Sequence, residues 1–300
     1  MDMSVVIPVY NAEGCISELY ERLKSTLIRI TSNYEIIMID DCSTDHSWEK
    51  IVELAKTDTQ IKGYKFSRNF GQHYGLTAGL DHCHGDWVVV MDCDLQDQPE
   101  EILRLYQKAQ AGFEIVVAKR DRGQFSLERS LSWIFYKILS YLLGYHYDAS
   151  VGNFRIMSKK VVQNYQKMRE NLRFFGALID WMGFKTASIE VNHAKRSNGP
   201  SSYTFKKRWK LASDAVIAYS DKPLRLSIGV GYSISFFAFV VGVYQFFNSP
   251  AGTNSDYVLL AIFLVGGLII ANLGIIGLYL GKTFDETKKR PLYIIDETTS

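Results

Sequence analysis

The chain has 300 residues, which is long enough for one large domain with an appended segment. Its 34 basic and 32 acidic residues nearly balance, so the composition does not indicate binding to nucleic acid or to another extended polyanion. The four cysteines show neither CxxC pairs nor a regular spacing, which argues against structural zinc and against a disulfide framework. We expect them to be small, mostly buried thiols in a reducing compartment.

The first 118 residues alternate apolar, β-branched runs with amphipathic stretches. The predicted strands are Ser4–Val9, Tyr34–Ile39, Ile61–Phe66, Asp86–Met91 and Glu114–Ala118. The predicted helices between them are Gly14–Ile30, His46–Lys56, Tyr74–His82 and Pro99–Ala111. Strands that are buried on both faces and separated by helices form parallel sheets, so this order predicts a mostly parallel α/β domain.

Polar residues cluster just after the predicted strands, where parallel sheets bind their ligands. They are Asn11, Glu13, Asp40, Asp41, Arg68, Asn69, Asp92 and Asp94. No G-x-G-x-x-G follows the first strand, and no G-x-x-x-x-G-K-[ST] occurs in the chain. The sequence therefore predicts an enzyme that holds phosphate groups without a dinucleotide-binding or P-loop motif.

The fourth predicted strand ends in the acidic segment Asp92-Cys93-Asp94-Leu95-Gln96-Asp97. Carboxylates with Gln96 as a neutral oxygen donor suit a hard cation, Mg²⁺ or Mn²⁺, which would neutralise a leaving diphosphate. An isolated D-x-D is a weak signal because acidic turns are common. Its position after a buried strand, together with a second acidic pair at Asp40-Asp41, favours a metal site at Asp92, Asp94 and Gln96.

Two later segments, Leu226–Phe247 and Tyr257–Gly281, contain no charged residue, and each is at least as long as the ~20 residues that a membrane-spanning helix needs. Buried core helices are the alternative. Lys and Arg flank the pair on its outer sides and are absent between the two segments, so both termini should be cytoplasmic. We thus expect a multi-pass protein of the cell inner membrane. Its parts would be a catalytic domain at 1–224, two transmembrane helices within 225–282 and a cytoplasmic tail at 283–300.

Two further segments, near 127–144 and 203–220, are aromatic or basic enough to lie in the headgroup region of a membrane. Core packing of the first and solvent exposure of the second agree equally well with the sequence. Glycines recur in both predicted spans and permit close helix approach. That approach would serve either a homo-oligomer or packing within the hairpin.

Four motifs in this order carry a family resemblance: Val6-Ile7-Pro8-Val9-Tyr10-Asn11, Ile39-Asp40-Asp41-Cys42-Ser43-Thr44-Asp45, Ser67-Arg68-Asn69-Phe70-Gly71-Gln72 and Asp92-Cys93-Asp94-Leu95-Gln96-Asp97-Gln98-Pro99-Glu100. With the terminal hairpin they resemble family 2 glycosyltransferases, and within them the polyprenyl-phosphate glycosyltransferases, the group that includes dolichyl-phosphate mannose synthase. The resemblance implies a GT-A fold. It also implies inverting, metal-dependent transfer of a sugar from a nucleotide-sugar, expected to be UDP-linked, to a polyprenyl phosphate, which in bacteria is undecaprenyl phosphate. The product would serve extracytoplasmic glycosylation, such as that of cell-envelope polysaccharide.

The resemblance also assigns roles to individual residues. Nucleotide-sugar binding would fall to Pro8, Tyr10, Glu13, Asp41, Arg68, Gln72 and Asp92. The metal, Mg²⁺ or Mn²⁺, would be held by Asp92, Asp94 and Gln96. The acceptor phosphate would meet Arg120, Arg122, Arg129, Arg196, Ser201 and Tyr203, since arginine pairs well with phosphate oxygens. The catalytic residues would be Asp94, Asn153 and Arg155.

Three positions depart from the family pattern. Cys42 stands where a small glycine is usual, which we interpret as a size-tolerant replacement. Gln72 replaces a frequent lysine, and Asn153 replaces an aspartate that is often assigned as the catalytic base. A neutral amide cannot accept a proton, but a phosphate monoester has a second pKa of about 6 and is its own nucleophile. We therefore expect Asn153 to position the reactants and Asn153→Asp to be tolerated, with Asp148 as the alternative base.

Two other functions remain open from the sequence. A family 2 transferase that extends a polysaccharide or glycolipid would carry a Q-x-x-R-W element, whereas the segment at Trp181 reads Leu178-Ile179-Asp180-Trp181. A non-enzymatic two-span scaffold would be expected to lack the metal carboxylates. Nothing in the residues themselves selects the sugar or separates uridine from guanosine.

Overall fold

A computed structural model describes residues 1–120, 151–191, 220, 222–248 and 255–299. These residues fall into two units. The first contains every described strand and the shorter helices, and the second contains two long apolar helices. The predicted interfacial segments near 127–144 and 203–220 lie outside the described residues, apart from Ser220.

The first unit is built on one mixed sheet of eight described strands. Their bounds are β1 Met3–Val9, β2 Tyr34–Asp40, β3 Ile61–Phe66, β4 Trp87–Val90, β5 Ile115–Arg120, β6 Val151–Ser158, β7 Thr186–Val191 and β8 Ile295–Thr298. The order across the sheet is β7-β5-β6-β4-β1-β2-β3-β8. Strands β6 and β8 run against their neighbours, and the other six share one direction. The five predicted strands are all present and point the same way.

Six α-helices accompany the sheet in the described part of this unit. They are α1 Ile16–Leu27, α2 Ser47–Thr57, α3 Gln72–His82, α4 Ile102–Gln110, α5 Lys159–Tyr165 and α6 Phe175–Trp181. A 3₁₀ turn at Pro99–Glu101 precedes α4. Every residue of β1 and β2 is buried, as expected for central strands covered on both faces. The apolar stripe of α1, which includes Leu19 and Leu23, packs into the same core.

Strand β6 was not predicted from the sequence, and it positions part of the site. It lies antiparallel between β4 and β5, with Val90 opposite Arg155. Continuing this register by two residues places Asp92, just beyond β4, opposite Asn153. Side chains at opposite positions of an antiparallel pair lie on the same face of the sheet. The acidic motif and Asn153 therefore share one face.

Helix α3 approaches β1 closely through two glycines. A Cβ atom at Gly79 would collide with Val6 Cγ1, and one at Gly75 would lie 3.2 Å from Pro8 Cβ. Residues four apart occupy the same face of a helix, so both glycines serve one contact. The contact fixes α3, whose first residue is Gln72, against the strand beside β4.

The last described strand covers the outer edge of the sheet. β8 pairs antiparallel with β3, and Gly63 and Thr299 exchange two hydrogen bonds just beyond the pair. Glu297 accepts hydrogen bonds from Trp48 Nε1 at 3.0 Å and from Lys65 Nζ at 2.8 Å. From the sequence this strand is only part of a tail, because four residues that include two acids carry little strand signal.

The second unit contains α7, Lys222–Asn248, and α8, Ser255–Thr287. The predicted spans lie within these helices. Both helices are long and apolar enough to cross a membrane by length and composition, over Lys222–Val241 and Leu264–Thr287. Neither window is buried inside the protein, which argues against the alternative of core helices. Tyr279 Oη of α8 donates a hydrogen bond to the carbonyl oxygen of Ser220 at 2.7 Å.

Candidate active site

The loops that follow β1, β2 and β4 each contain a residue with an uncommon backbone conformation. Asn11, Cys42 and Leu95 have φ angles of 50°, 58° and 60°, in the left-handed region that non-glycine residues rarely adopt. Such conformations persist where the surrounding structure holds them, and they cluster at binding sites. The angle at Cys42 corrects our interpretation of this position. A glycine suits it because of backbone conformation and not because of side-chain size.

Asp41 organises the loop that follows β3. Its two carboxylate oxygens accept hydrogen bonds from the backbone N–H groups of Phe70 at 2.7 Å and Gly71 at 2.9 Å. Burial raises the pKa of Asp41 to about 6, although the two N–H groups act in the opposite direction. The same loop carries Arg68, whose guanidinium lies 4.1 Å from the centroid of the Phe70 ring. Asp41 and Arg68, both predicted to bind the nucleotide-sugar, thus belong to one connected pair of loops.

The loop after β1 is joined to the loop after β2. Asn11 Oδ1 accepts the backbone N–H of Thr44 at 2.8 Å, and the backbone N–H of Asn11 donates to Ser43 Oγ at 3.0 Å. Glu13 Oε2 accepts the backbone N–H of His46 at 3.4 Å, just before α2. These contacts bring the first two sequence motifs together at the carboxyl ends of β1 and β2.

Pro8 and Tyr10, which also belong to the first motif, differ in exposure. Pro8 is buried within β1, whereas the Tyr10 side chain is exposed. An exposed aromatic ring beside these loops can stack on a flat ligand such as a base. Pro8 can therefore act only through the packing at the end of β1, whereas Tyr10 is exposed and can contact a ligand.

Asp92 lies where the acidic motif meets α3 and β6. Its Oδ1 atom accepts hydrogen bonds from Gln72 Nε2 at 2.8 Å and from Asn153 Nδ2 at 3.2 Å. The donors are 20 and 61 residues away from Asp92 in sequence. The structure thus joins two residues predicted to bind the nucleotide-sugar with one predicted to be catalytic.

The acidic motif offers oxygen ligands for a divalent cation. Asp92, Asp94 and Gln96 are half buried, and Asp94 Oδ1 accepts the backbone N–H of Gln96 at 3.1 Å. Among the described residues, no three His, Cys, Asp or Glu side chains converge as a ready-made metal cage. Mg²⁺ commonly binds through one or two carboxylates together with substrate phosphates. Asp92 and Asp94 offer only oxygen atoms as ligands, so they fit this kind of site.

Arg155 is buried, with 2% of its surface exposed. Its Nε and Nη2 atoms donate to the backbone carbonyl oxygens of Asn153 at 3.3 Å and Gly152 at 2.9 Å. Its guanidinium lies 4.9 Å from the ring centroid of Phe175, the first residue of α6. These contacts support the backbone that carries Asn153. The catalytic role of Arg155 stays a prediction.

Some contributors to the site could not be found from side-chain patterns. The backbone N–H groups of Phe70 and Gly71 hold Asp41, and the Ser43 hydroxyl holds Asn11. All three residues lie inside the sequence motifs, and this position is the one feature of the sequence that indicates a role for them in the site. His73, next to Gln72, is half buried as a residue, but its Nδ1 atom is buried. Burial and then the charge of Arg173 lower the pKa of His73 to about 4, so its ring is neutral at pH 7.

The residues predicted to meet the acceptor phosphate are not part of the described site. Arg122, Arg129, Arg196, Ser201 and Tyr203 lie outside the described residues, as does Asp148, the alternative base. Only the backbone of Arg120 is described, at the end of β5. The acceptor site therefore stays a prediction.

Known proteins that resemble this chain identify its family. The family model described as glycosyl transferase family 2 matches residues 4–166, more than half of the chain. A prophage bactoprenol glucosyl transferase homolog from Escherichia coli (strain K12) is 36% identical over 98% of both chains. The SfII prophage-derived bactoprenol glucosyl transferase from Shigella flexneri is 34% identical over 99% of this chain and 98% of its own. These relatives confirm the resemblance to polyprenyl-phosphate glycosyltransferases.

A solved structure supports the fold. Glucosyl-3-phosphoglycerate synthase from Mycobacterium tuberculosis, crystallised with Mn²⁺, UDP and phosphoglyceric acid, matches with a TM-score of 0.51 and 17% identity. The match covers 72% of this chain and 76% of that one. At this identity the likeness shows the fold alone, and it confirms the predicted GT-A type of α/β sheet. The chain is therefore a glycosyltransferase that belongs to glycosyl transferase family 2.

Proposed function

We propose that this glycosyltransferase moves a sugar, with glucose as the expected one, from a UDP-sugar to a polyprenyl phosphate such as undecaprenyl phosphate. The observation that carries the proposal is the extent of the similarity. Relatives named as bactoprenol glucosyl transferases align with 98% or more of this chain, through the sheet and both long helices. A lipid acceptor gives a physical reason for joining a nucleotide-sugar enzyme to helices that are long and apolar enough to cross a membrane.

The donor would bind at the carboxyl ends of β1, β2 and β4. Asp41 holds the loop that carries Arg68, and the exposed Tyr10 ring is available to stack on the base. Arg68 would pair with diphosphate oxygens. The mycobacterial synthase of similar fold was crystallised with UDP and Mn²⁺, which supports the same pair of ligands here.

Asp92 and Asp94, with Gln96, would hold Mg²⁺ or Mn²⁺ against the donor diphosphate. Bound there, the ion would supply Lewis-acid stabilisation of the charge that develops on the leaving diphosphate. The chain's own contribution is orientation. Gln72 and Asn153 fix the direction of the Asp92 carboxylate through its Oδ1 atom.

The acceptor phosphate would act as its own nucleophile. Its second pKa is about 6, so near pH 7 it is mostly a dianion and needs no protein base. One of its oxygens would form a bond to the anomeric carbon as the bond to the nucleoside diphosphate breaks, which inverts that carbon. Asn153, a neutral amide, would contribute positioning and not proton transfer.

The test is transfer of radiolabelled sugar to undecaprenyl phosphate by the purified full-length protein. UDP-glucose, UDP-galactose, UDP-N-acetylglucosamine and GDP-mannose would each be supplied with Mg²⁺ or Mn²⁺, and organic-phase product would be counted. We expect labelled lipid from the wild type, and none with EDTA or with Asp94→Ala. Asp94→Ala should still fold, because this half-buried side chain lies after a strand and outside the core. A water-soluble labelled polymer in place of labelled lipid would contradict the proposal and favour a polysaccharide acceptor.

A further inference from the structure

One carboxylate oxygen in the site, Asp92 Oδ1, receives amide donors from two separate parts of the fold. Gln72 Nε2 lies 2.8 Å from it and Asn153 Nδ2 lies 3.2 Å from it. Both donors are neutral, so they orient the carboxylate without cancelling its charge. We propose that Gln72 and Asn153 act together as an amide clamp, a pair of positioning residues that aims Asp92 at a divalent cation. The amide clamp rests on the proposed function of this site.

The Gln72 arm of the amide clamp is held by the packing of α3. Gln72 is the first residue of this helix, and Gly71 before it donates its backbone N–H to Asp41 Oδ2 at 2.9 Å. Further along, Gly79 meets Val6 of β1 with no room for a side chain. The amide therefore extends from a helix that is fixed at its start and along its face.

The Asn153 arm is held by β6. The pairing of Val90 with Arg155 sets the register that places Asn153 opposite Asp92. The buried Arg155 donates to the carbonyl oxygens of Gly152 and Asn153, so the backbone on either side of the Asn153 amide is tied down. Outer partners of this kind orient ligating carboxylates and tune metal affinity.

The amide clamp depends on its two donors carrying no net charge. Asn153→Asp would set a second carboxylate against Asp92 Oδ1 in place of an N–H donor, so that one of the two amide donors would be lost. Gln72→Lys would place an ammonium group on Asp92 and compete with the cation for its charge. Together, Lys and Asp at the two positions would pair with each other and restore the net charge of the site. This reverses the expectation, drawn from sequence, that Asn153→Asp is tolerated.

A double-mutant cycle of Asn153→Asp and Gln72→Lys in the full-length protein tests the amide clamp. Asn33→Asp is the matched control, because Asn33 Nδ2 also donates to a carboxylate, Asp2 Oδ1 at 3.0 Å, but on the exposed surface. The first readout is the melting temperature in EDTA without nucleotide. We expect Asn153→Asp to lower it by roughly 3 °C. Asn33→Asp should leave it unchanged, and adding Gln72→Lys to Asn153→Asp should restore it.

The second readout is the affinity for Mn²⁺ in the presence of UDP, from the EPR signal of free Mn²⁺. Each single variant should bind Mn²⁺ roughly tenfold more weakly, and the double variant should return to within about threefold of the wild type. Equal melting temperatures for Asn153→Asp and Asn33→Asp, or losses that simply add in the double variant, would overturn the amide clamp. If the wild type binds no Mn²⁺ with UDP, the proposed function fails, and the melting temperatures in EDTA still decide the amide clamp.

Discussion

Cys42 places a β-carbon in a backbone conformation that favours glycine. Cys42 lies two residues after the end of β2, next to Asp41, and its φ is 58°. A left-handed residue other than glycine costs about 1 kcal/mol, which glycine would not incur. The greater freedom of glycine in the unfolded chain cancels part of this gain. Cys42→Gly should therefore raise the melting temperature by about 2 °C. Cys42→Ala keeps the β-carbon and is the control, so equal melting temperatures for the two variants would show that the angle stores no strain.

Asp41 should make the stability of the fold depend on pH. Burial raises its pKa from an ordinary 3.8 to about 6, against the opposing effect of the Phe70 and Gly71 N–H groups. Between these two values the folded chain holds a proton that the unfolded chain has released. The contribution of Asp41 to stability is therefore greatest below about pH 4, falls as the pH rises to about 6, and is constant above that.

The matching measurement compares the wild type with Asp41→Asn, which has no proton to exchange at this position. We expect the difference in melting temperature, wild type minus variant, to fall between about pH 4 and pH 6 and then to level off. A difference that stays constant from acid to neutral pH would mean that Asp41 titrates in the fold as it does in the unfolded chain.

At the residue scale, the sequence predicts which side chains belong to the site better than it predicts the contacts between them. Asp41, Asp92 and Asp94 stand in short motifs after predicted strands, so each can be recognised from its neighbours in sequence. The convergence of Gln72 and Asn153 on one oxygen of Asp92 cannot, because it depends on the register of an unpredicted strand. Such a contact is set by the sheet as a whole.

Among the secondary-structure elements, α3 is the one whose packing most directly controls the site. Gly79→Ala would drive a methyl group into Val6 Cγ1, and overpacking of this kind costs about 1–3 kcal/mol. We expect a melting temperature lower by about 3 °C or more and weaker Mn²⁺ binding with UDP, since α3 also carries Gln72. Gly176→Ala, in α6, is the control, because among the residues that the structure describes its new Cβ would meet only Arg155 Nη2, at 3.9 Å. Equal stability of the two variants would contradict the close contact between α3 and β1.

The predicted elements show which signals are local. β3 was predicted with its observed bounds, and α3 was predicted to begin at Tyr74, two residues after its observed start at Gln72. Those two residues decide whether Gln72 belongs to a loop or to a packed helix. β8 was missed, because its pairing with β3 joins segments more than 200 residues apart and leaves little trace in its own composition.

For the whole molecule, the alternation of strands and helices gave the direction of the strands but not all their neighbours. A helix between β4 and β5 favours a parallel arrangement of the two strands, and they are parallel. It does not require them to be adjacent, and β6 fills the position between them from later in the chain. The order of elements along a chain therefore predicts a parallel sheet while leaving room for an inserted antiparallel strand.

The return of the chain to its sheet bears on membrane topology. β8 closely follows α8 and belongs to the same sheet as β1, so α7 and α8 lead the chain out of the first unit and back into it. Two consecutive crossings of a membrane return a chain to its starting side. Because Lys and Arg flank the helix pair on its outer sides, that side should be the cytoplasm.

Cysteine labelling in spheroplasts tests this topology. Thr253→Cys lies in the sequence between the two helices, and Ser300→Cys lies after β8. With a membrane-impermeant maleimide, we expect Thr253→Cys to react in intact spheroplasts and Ser300→Cys to react only after permeabilisation. The parent protein, with its four native cysteines, sets the background. Reaction of Ser300→Cys in intact spheroplasts would place β8 outside the cell. Because β8 pairs with β3, the sheet that is proposed to bind the donor would then be outside as well. It would be away from the cytoplasmic supply of nucleotide-sugars, and the proposed topology would fail together with its link to function.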